Sequence, residues 1–288
     1  MTILVTGSTG AIGSRVVAGL VAANADFRAL ARTPEKAKLP GAKIIKGDFD
    51  QPEAIARALD DITSVLLLTP PDPADFSMVE RFLEIALKSP AAPRIVRLSA
   101  IRATEGGPSD GARSHGRADR AILESGLPYA ILRPNYFMQN LLGSAESILA
   151  NGKLINSTGN GRLGFIDVRD IADVAIAVLL DRGWDGGIYD LTGPATLSFD
   201  DVARELSAAL DREISCIALT PEQMQQAVLQ KSGSAWFAGI MRDYATAYAR
   251  GWGDFTTSFV QKITGRPARS VAQFAREVFV PALQGAAS

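Results

Sequence analysis

Three glycines, Gly7, Gly10 and Gly13, recur at intervals of three just after the apolar run Ile3-Leu4-Val5. Glycine lets a backbone turn sharply and lets another group approach it closely. Behind the turn, Val16, Val17, Leu20 and Val21 recur at helical spacing, with Arg15 on the other side. A strand, a glycine turn and a helix together bring free backbone N–H groups and a positive dipole end to one place. That arrangement binds anions, and in a strand–turn–helix unit the anion is the pyrophosphate of a dinucleotide. Gly7 is expected to make the turn, Gly10 to admit the pyrophosphate, and Gly13 to let helix and strand pack. Thr9, Ala11 and Ile12 complete the cradle. The spacing Gly-x-x-Gly-x-x-Gly departs from the more familiar Gly-x-Gly-x-x-Gly, so a glycine turn without a ligand stays the alternative.

A second set of residues follows the ends of later strands. Phe27–Ala31 reads as a strand, and Arg32 stands where NAD sites place an acid for the ribose 2′-hydroxyl. A guanidinium grips a 2′-phosphate and stacks on adenine, and Lys36 and Lys38 lie nearby, which favours NADP(H) over NAD(H). Otherwise Arg32 is a solvated loop charge. Ser64–Leu68 is a further, fully apolar strand and Arg94–Leu98 the next strand, followed by Thr69 and Ser99; Tyr129–Leu132 leads into Arg133 and Pro134. Ligands of open α/β sheets bind beyond the strands' C-terminal ends, so Leu68, Thr69, Pro70, Ser99, Pro134 and Asn135 are expected around the nicotinamide. Asp50, before Gln51-Pro52-Glu53, reads as a helix N-cap.

Five strand–helix alternations occupy the first half, with helices over Phe76–Leu87 and Ala118–Glu124 among them. This is the pattern of an α/β, Rossmann-type doubly wound parallel sheet. After about Gln139 the chain becomes mainly helical. Residues 1–140 are expected to form the nucleotide-binding domain, with 165–192 returning to it through a strand at Gly164–Val168 and another at Gly187–Leu191. Residues 141–164 and 193–288 then form a smaller lobe closing over it, with helices over Leu141–Leu149, Val202–Leu210, Pro221–Gln230, Trp236–Tyr248 and Val271–Phe279. The stretch from Arg102 to Ser114 is rich in Gly, Ser and Asp, and reads as a weakly anchored loop bordering the ligand crevice.

Composition narrows the function further. The chain has 288 residues, 47% hydrophobic and 21% charged, with a net charge of −1. That balance gives no electrostatic case for nucleic acid or an acidic membrane. The first strand begins at once after Met1, without a basic leader, and no apolar run approaches a membrane span. The single cysteine, Cys216, reads as a buried apolar residue, and no cysteine cluster for a metal exists. A cytoplasmic protein is expected, with a homodimer the assembly to test for.

Thr6-Gly7-Ser8-Thr9-Gly10-Ala11-Ile12-Gly13, Arg32, Gly47-Asp48-Phe49-Asp50, Ser125-Gly126-Leu127-Pro128-Tyr129, Leu132–Asn140, Phe165–Ala172 and Thr264-Gly265-Arg266-Pro267 occur in that order. Together they resemble the NmrA-like atypical short-chain dehydrogenases/reductases, which include NADPH quinone reductases, triphenylmethane dye reductases and redox-sensing regulators. The resemblance implies that Asp48 and Phe49 lie beneath the adenine. The superfamily's Tyr-x-x-x-Lys acid pair is missing after Ser99. In its place stand His115 and Asp119, similar to a His-x-x-x-acid stretch of the quinone-reductase branch, and their spacing puts both on one helix face. His115 is then a proton donor, with Ser99 and Asp119 as polar partners, or it is merely a helix-start residue. Tyr136, Phe137 and Phe165 are the expected acceptor contacts, whereas core packing is the simpler reading of Trp236, Phe237 and Tyr248. The resemblance implies hydride transfer from NADPH to a small, flat, electron-poor molecule such as a quinone. The alternative is a non-catalytic NADP(H) sensor acting through a protein partner.

Overall fold

The computed structural model describes residues 1–70 and 72–286, without the Ala286 side chain. Pro71, part of the turn expected after the fourth strand, lies outside the described residues. The chain divides into two compact units, residues 1–133 with 171–190, and residues 134–170 with 191–288.

The first unit alternates β1 (Ile3–Val5), α1 (Gly13–Ala22), β2 (Phe27–Ala31), β3 (Lys43–Lys46), α2 (Pro52–Ala58), β4 (Ser64–Leu67), α3 (Asp75–Ala86), β5 (Arg94–Leu98), α4 (Asp110–Glu124) and β6 (Tyr129–Pro134). After α5 (Ala145–Asn151) and β7 (Lys153–Asn156), the chain returns through α6 (Val168–Leu180) to β8 (Gly187–Leu191). The sheet order is β3-β2-β1-β4-β5-β6-β8, and the pairings from β3 to β6 are all parallel. The order reverses between β1 and β4, which is where a doubly wound sheet binds its ligand.

Both faces of this sheet are covered. On one, Phe82 and Val79 of α3, Ile55 of α2 and Ile122 of α4 pack on Leu4, Val65, Leu67, Ile95 and Ile131. On the other, α1 lies so close to α6 that a side chain at Gly19 would meet Ile176. A strand covered on both sides should be apolar, as β4 is from Val65 to Leu67 after the buried Ser64. β5 breaks that rule with Arg94 and Arg97, both fully buried.

The second unit holds β7 paired in parallel with β9 (Ser215–Ala218), and α7 (Phe199–Leu210), α8 (Pro221–Ser232), α9 (Ala235–Ala249) and α10 (Phe259–Thr264). A last helical run covers 271–286, longer than the sequence pattern predicts, with a π-helical stretch at Ala275–Phe279. Its core gathers Met138, Leu141, Phe165, Phe199, Tyr248, Phe274 and Phe279.

Several local expectations change. Gln51, not Asp50, precedes α2, and no side chain caps that helix; Asp50 pairs instead with Arg81 at 3.0 Å. Gly164–Val168 forms only an isolated bridge between Ile166 and Phe137, not a strand. The 141–149 helix is a 3-10 turn over Met138–Ser144 followed by α5. Helix α4 starts eight residues earlier than the apolar pattern suggests, because Ser109 caps it by accepting from the Ala112 N–H at 3.0 Å. The last five residues of the 102–114 stretch are therefore helical. The stretch is also anchored, since Ile101, Ala103 and Ser109 are buried.

Candidate functional site

The glycine turn has the form an anion cradle needs. Gly7 adopts φ +57°, the left-handed region where a side chain is strained. A Cβ at Gly13 would lie 2.1 Å from the Gly7 carbonyl oxygen, so α1 can start here only on glycine. Thr6 fixes the turn from below: its hydroxyl donates to Leu66 and Leu68 carbonyls and accepts from the Leu68 N–H. Ser8 donates to the Leu30 carbonyl at 2.7 Å. Gly7, Thr9, Gly10 and Ala11 are exposed, while Ile12 is buried. No side chain caps α1, whose N-cap position is Ile12. The Ser14 N–H bonds to the Gly10 carbonyl at 3.0 Å, whereas the Ala11, Ile12 and Gly13 N–H groups have no backbone acceptor among the described residues and are left to water or to an anion. The residues fit a dinucleotide pyrophosphate.

At the end of β2, Arg32 has a side chain 77% exposed, and its Nε lies 4.0 Å from Asp48 Oδ2. Asp48 also accepts from the Phe49 N–H at 2.7 Å. The Phe49 ring is buried in the core, edge-on to Phe82, so only its backbone faces outward chemistry. Gly7 and Leu68 are in close contact, and a Cβ on Gly7 would come 2.9 Å from that of Leu68. Pro70 is exposed and Thr69 half-buried.

Beyond β4 and β5 the structure assembles a polar network. Arg97, with 0% of its side chain exposed, pairs with Asp75 at 3.2 Å. Its other terminal nitrogen donates to the Thr69 hydroxyl at 2.8 Å, and Thr69 in turn donates to Asp75. Arg97 also lies 3.1 Å from Nδ1 of His115, and Ser114 reaches Asp75 at 3.5 Å. Burial, with Arg97 beside it, pushes the His115 imidazole down to about 4, so the ring is neutral at pH 7. Burial alone would raise the Asp75 carboxyl, but Arg97, His115 and the Thr69 hydrogen bond hold it below the ordinary range.

One helical turn on, Asp119 is fully buried and accepts from Ser99 at 2.8 Å and from Arg133 at 2.8 and 2.9 Å. All three contacts fall on Oδ2, while Oδ1 is buried without a partner among the described residues. Burial raises this carboxyl above the ordinary range against the pull of the two arginines. The Ser99 hydroxyl donates its hydrogen bond to Asp119, and Asp119 acts through Ser99 and Arg133.

The remaining residues singled out by sequence belong to the second unit. Asn135 has both ends of its amide engaged, donating to Gly253 O at 3.1 Å and accepting from the Tyr136 N–H at 2.8 Å. Pro134 closes β6, and Phe137 precedes the 3-10 turn. Tyr136 meets Phe165 edge-on at 5.2 Å and also contacts Phe199 and Tyr248. Burial pushes the Tyr136 phenol up to about 12.

Sequence reasoning missed Asp75, Arg97 and Arg133. Arg97 carried a usable signal, since a charge inside a strand covered on both faces must have a buried partner. Asp75, 22 residues away along the chain, carried none.

Comparison with known proteins places this geometry among relatives. The NAD(P)H-binding family matches residues 7–182. An NAD(P)H azoreductase of Xenophilus azovorans is 36% identical over 281 residues, covering 95% of this chain and 96% of that protein. Two solved structures share the fold. An NADPH-dependent quinone oxidoreductase of Escherichia coli, complexed with NADPH, has a TM-score of 0.86 at 23% identity, covering 96% of this chain and 99% of that one. A triphenylmethane reductase of Citrobacter sp., complexed with NADP(H), has a TM-score of 0.81 at 23% identity, covering 94% and 98%. No helix among the described residues is long and apolar enough to cross a membrane.

Proposed function

The chain belongs to the NAD(P)H-binding family, and on that premise we propose that it is an NmrA-like short-chain dehydrogenase/reductase delivering hydride from NADPH to a small, flat, electron-poor acceptor such as a quinone. The observation that carries this reading is a cofactor cradle combined with a polar network that contains no strong acid. No tyrosine is followed four residues later by lysine anywhere in the chain. His115 is neutral, and the Ser99 hydroxyl donates its hydrogen bond to Asp119. A ketone needs a proton as its alkoxide forms, whereas a quinone spreads the arriving charge over its conjugated ring and takes its proton from water. Azo dyes share that flat, conjugated character, and the azoreductase relative supports including them in the acceptor class.

When bound, NADPH supplies the hydride, and the chain supplies position and polarity. The N–H groups of Thr9, Ala11, Ile12 and Gly13 would hold the pyrophosphate, with Gly10, whose own N–H bonds to the Gly7 carbonyl, admitting it; Arg32 would select the 2′-phosphate, and Asp48 and Phe49 would meet the adenine. Within the first unit, Leu68, Thr69, Pro70 and Ser99 are the proposed nicotinamide contacts. Tyr136 and Phe137 are proposed for the acceptor's flat face; Phe165, expected beside them, is fully buried in the second unit's core and only backs Tyr136. His115 offers a hydrogen-bond donor to the reduced acceptor.

Purified protein is tested for NADPH oxidation against benzoquinones, naphthoquinones, azo dyes and simple ketones. Turnover of the conjugated acceptors with little or no ketone reduction is expected. Efficient ketone reduction overturns the acceptor class. Tight NADP(H) binding with no turnover of any acceptor favours the sensor instead.

A further inference from the structure

We propose that Arg97 is a positioning residue that locks His115 in the Nε2–H tautomer, so that this N–H is offered to the acceptor as a fixed donor. The role rests on the reductase reading; the tautomer does not. An arginine only donates hydrogen bonds. With the Arg97 terminal nitrogen 3.1 Å from Nδ1, that ring nitrogen must present its lone pair, and the imidazole proton then sits on Nε2. The same terminal nitrogen has two hydrogens, and Asp75 takes the other at 3.2 Å.

The lock is itself held in place. The guanidinium is fully buried, and Thr69 accepts from its other terminal nitrogen at 2.8 Å. Asp75 is 3.6 Å from Nδ1, close enough to attract a cation but beyond a good hydrogen bond, and its oxygens already serve Thr69, Arg97 and Ser114. Protonating Nδ1 would aim an N–H at an N–H between two cations. The charged groups around the ring are Asp75 from α3, Arg97 from β5 and Arg133 from β6, with Asp119 one turn on along α4; the two arginines oppose protonation and Asp75 favours it.

The other edge of the ring is open. No hydrogen bond joins Nε2 to another of the described residues, it is not among their buried unpartnered atoms, and the side chain is 28% exposed. Thr69 and Ser99 follow adjacent strands of the sheet, which places this donor at the C-terminal edge where a reduced acceptor gathers negative charge. A neutral donor stabilises that charge without giving up its proton. The hydride brings two electrons and one proton's mass to the acceptor, and the second proton comes from water.

His115 is the only histidine, so it gives a single imidazole signal. Long-range proton–nitrogen correlation on histidine-labelled protein is expected to show Nε2 protonated and Nδ1 bare, with no change from about pH 8 down to about pH 5.5, below the ordinary imidazole midpoint. Quinone kcat should be flat over the same range. Removing both members of the buried pair, as Asp75→Leu with Arg97→Met, avoids stranding one charge. It should mix the tautomers and lower kcat more than it changes the NADPH KM, while the ring's midpoint moves little because the opposing pulls of Arg97 and Asp75 are lost together. The gentler Thr69→Val variant should do the same to a smaller degree. An Nδ1–H ring or an imidazolium in the wild type at neutral pH overturns the proposal, whatever the turnover. So does a folded pair variant with an unchanged tautomer. An Nε2–H wild type that reduces no acceptor overturns the reductase reading and the role assigned here, and leaves the tautomer standing.

Discussion

Substituting Gly10 and Gly13 with alanine should separate two functions that the glycine turn combines. A methyl at Gly13 would lie 2.1 Å from the Gly7 carbonyl oxygen, 2.8 Å from its carbonyl carbon and 3.0 Å from Cα of Ser8. All three are backbone atoms, so no side chain can rotate away. Restoring ordinary contact needs α1 and the turn to part by about 1 Å. Overpacking of this kind costs about 1–3 kcal/mol, and rigid backbone neighbours put Gly13→Ala at the upper end. The displaced helix also carries the phosphate-facing N–H groups with it, so NADPH affinity falls as well.

Gly10→Ala is different in sign. Its methyl would meet only the Gly7 oxygen, at 3.3 Å, and Gly10 does not occupy the left-handed region. Restricting the unfolded chain then offsets the contact, and stability should stay within about 0.5 kcal/mol of wild type or rise slightly. The same methyl faces the pyrophosphate. Losing a charged hydrogen bond there costs about 1.5–3 kcal/mol, or roughly 10- to 150-fold in Kd. Urea unfolding without cofactor and fluorescence titration with NADPH measure the two effects. Wild-type NADPH affinity in Gly10→Ala would remove the pyrophosphate from this turn. A wild-type urea midpoint in Gly13→Ala would refute the packing argument.

Two further expectations follow from single residues. Arg32→Ala should weaken NADP+ binding about 10- to 150-fold while hardly changing NAD+, since its exposed guanidinium is free to meet a phosphate; calorimetric titration that finds equal wild-type affinities for the two cofactors sinks this. Stability should also fall as pH drops from about 6.5 towards 4. The unfolded imidazole of His115 takes a proton in that window and the folded one, at about 4, refuses it, a difference of about 3 kcal/mol in the limit. Asp75, lowered in the folded state despite its burial, adds a loss below about pH 4, and Asp119, raised by burial, works the other way. Urea midpoints of wild type and His115→Asn at several pH values check this, and parallel pH slopes for the two proteins would contradict it.

The cofactor half of the molecule was legible because its signals are local. The glycine turn, the apolar strands and the spacing of Val16, Val17 and Leu20 each need only a short window of residues, and each appears in β1, α1 and β4 as the pattern predicts. Where a boundary depended on a polar cap, the pattern failed. Ser109 starts α4 well before the apolar face begins, and so converts part of an expected loop into helix. At Phe165 and Ile166 the alternation resembled a strand, yet only one bridge to Phe137 forms there. The β pattern requires a neighbour to pair with, and periodicity does not reveal whether one is present.

The polar network lies at the opposite extreme. His115 and Asp119 could be paired from their spacing on one helix, but what each does is set by residues from other elements. Arg97 of β5 decides which nitrogen of His115 can hold a proton, and Arg133 of β6 with Ser99 decides how Asp119 spends its oxygens. A buried guanidinium costs too much to leave unpaired, so Arg97 required an acid, and α3 supplies it in Asp75. A phenol and a lysine four residues apart would have made the acid on one helix. Here the donor is assembled from three elements around one imidazole, which explains why the helix sequence alone left His115 undecided between a chemical role and a structural one.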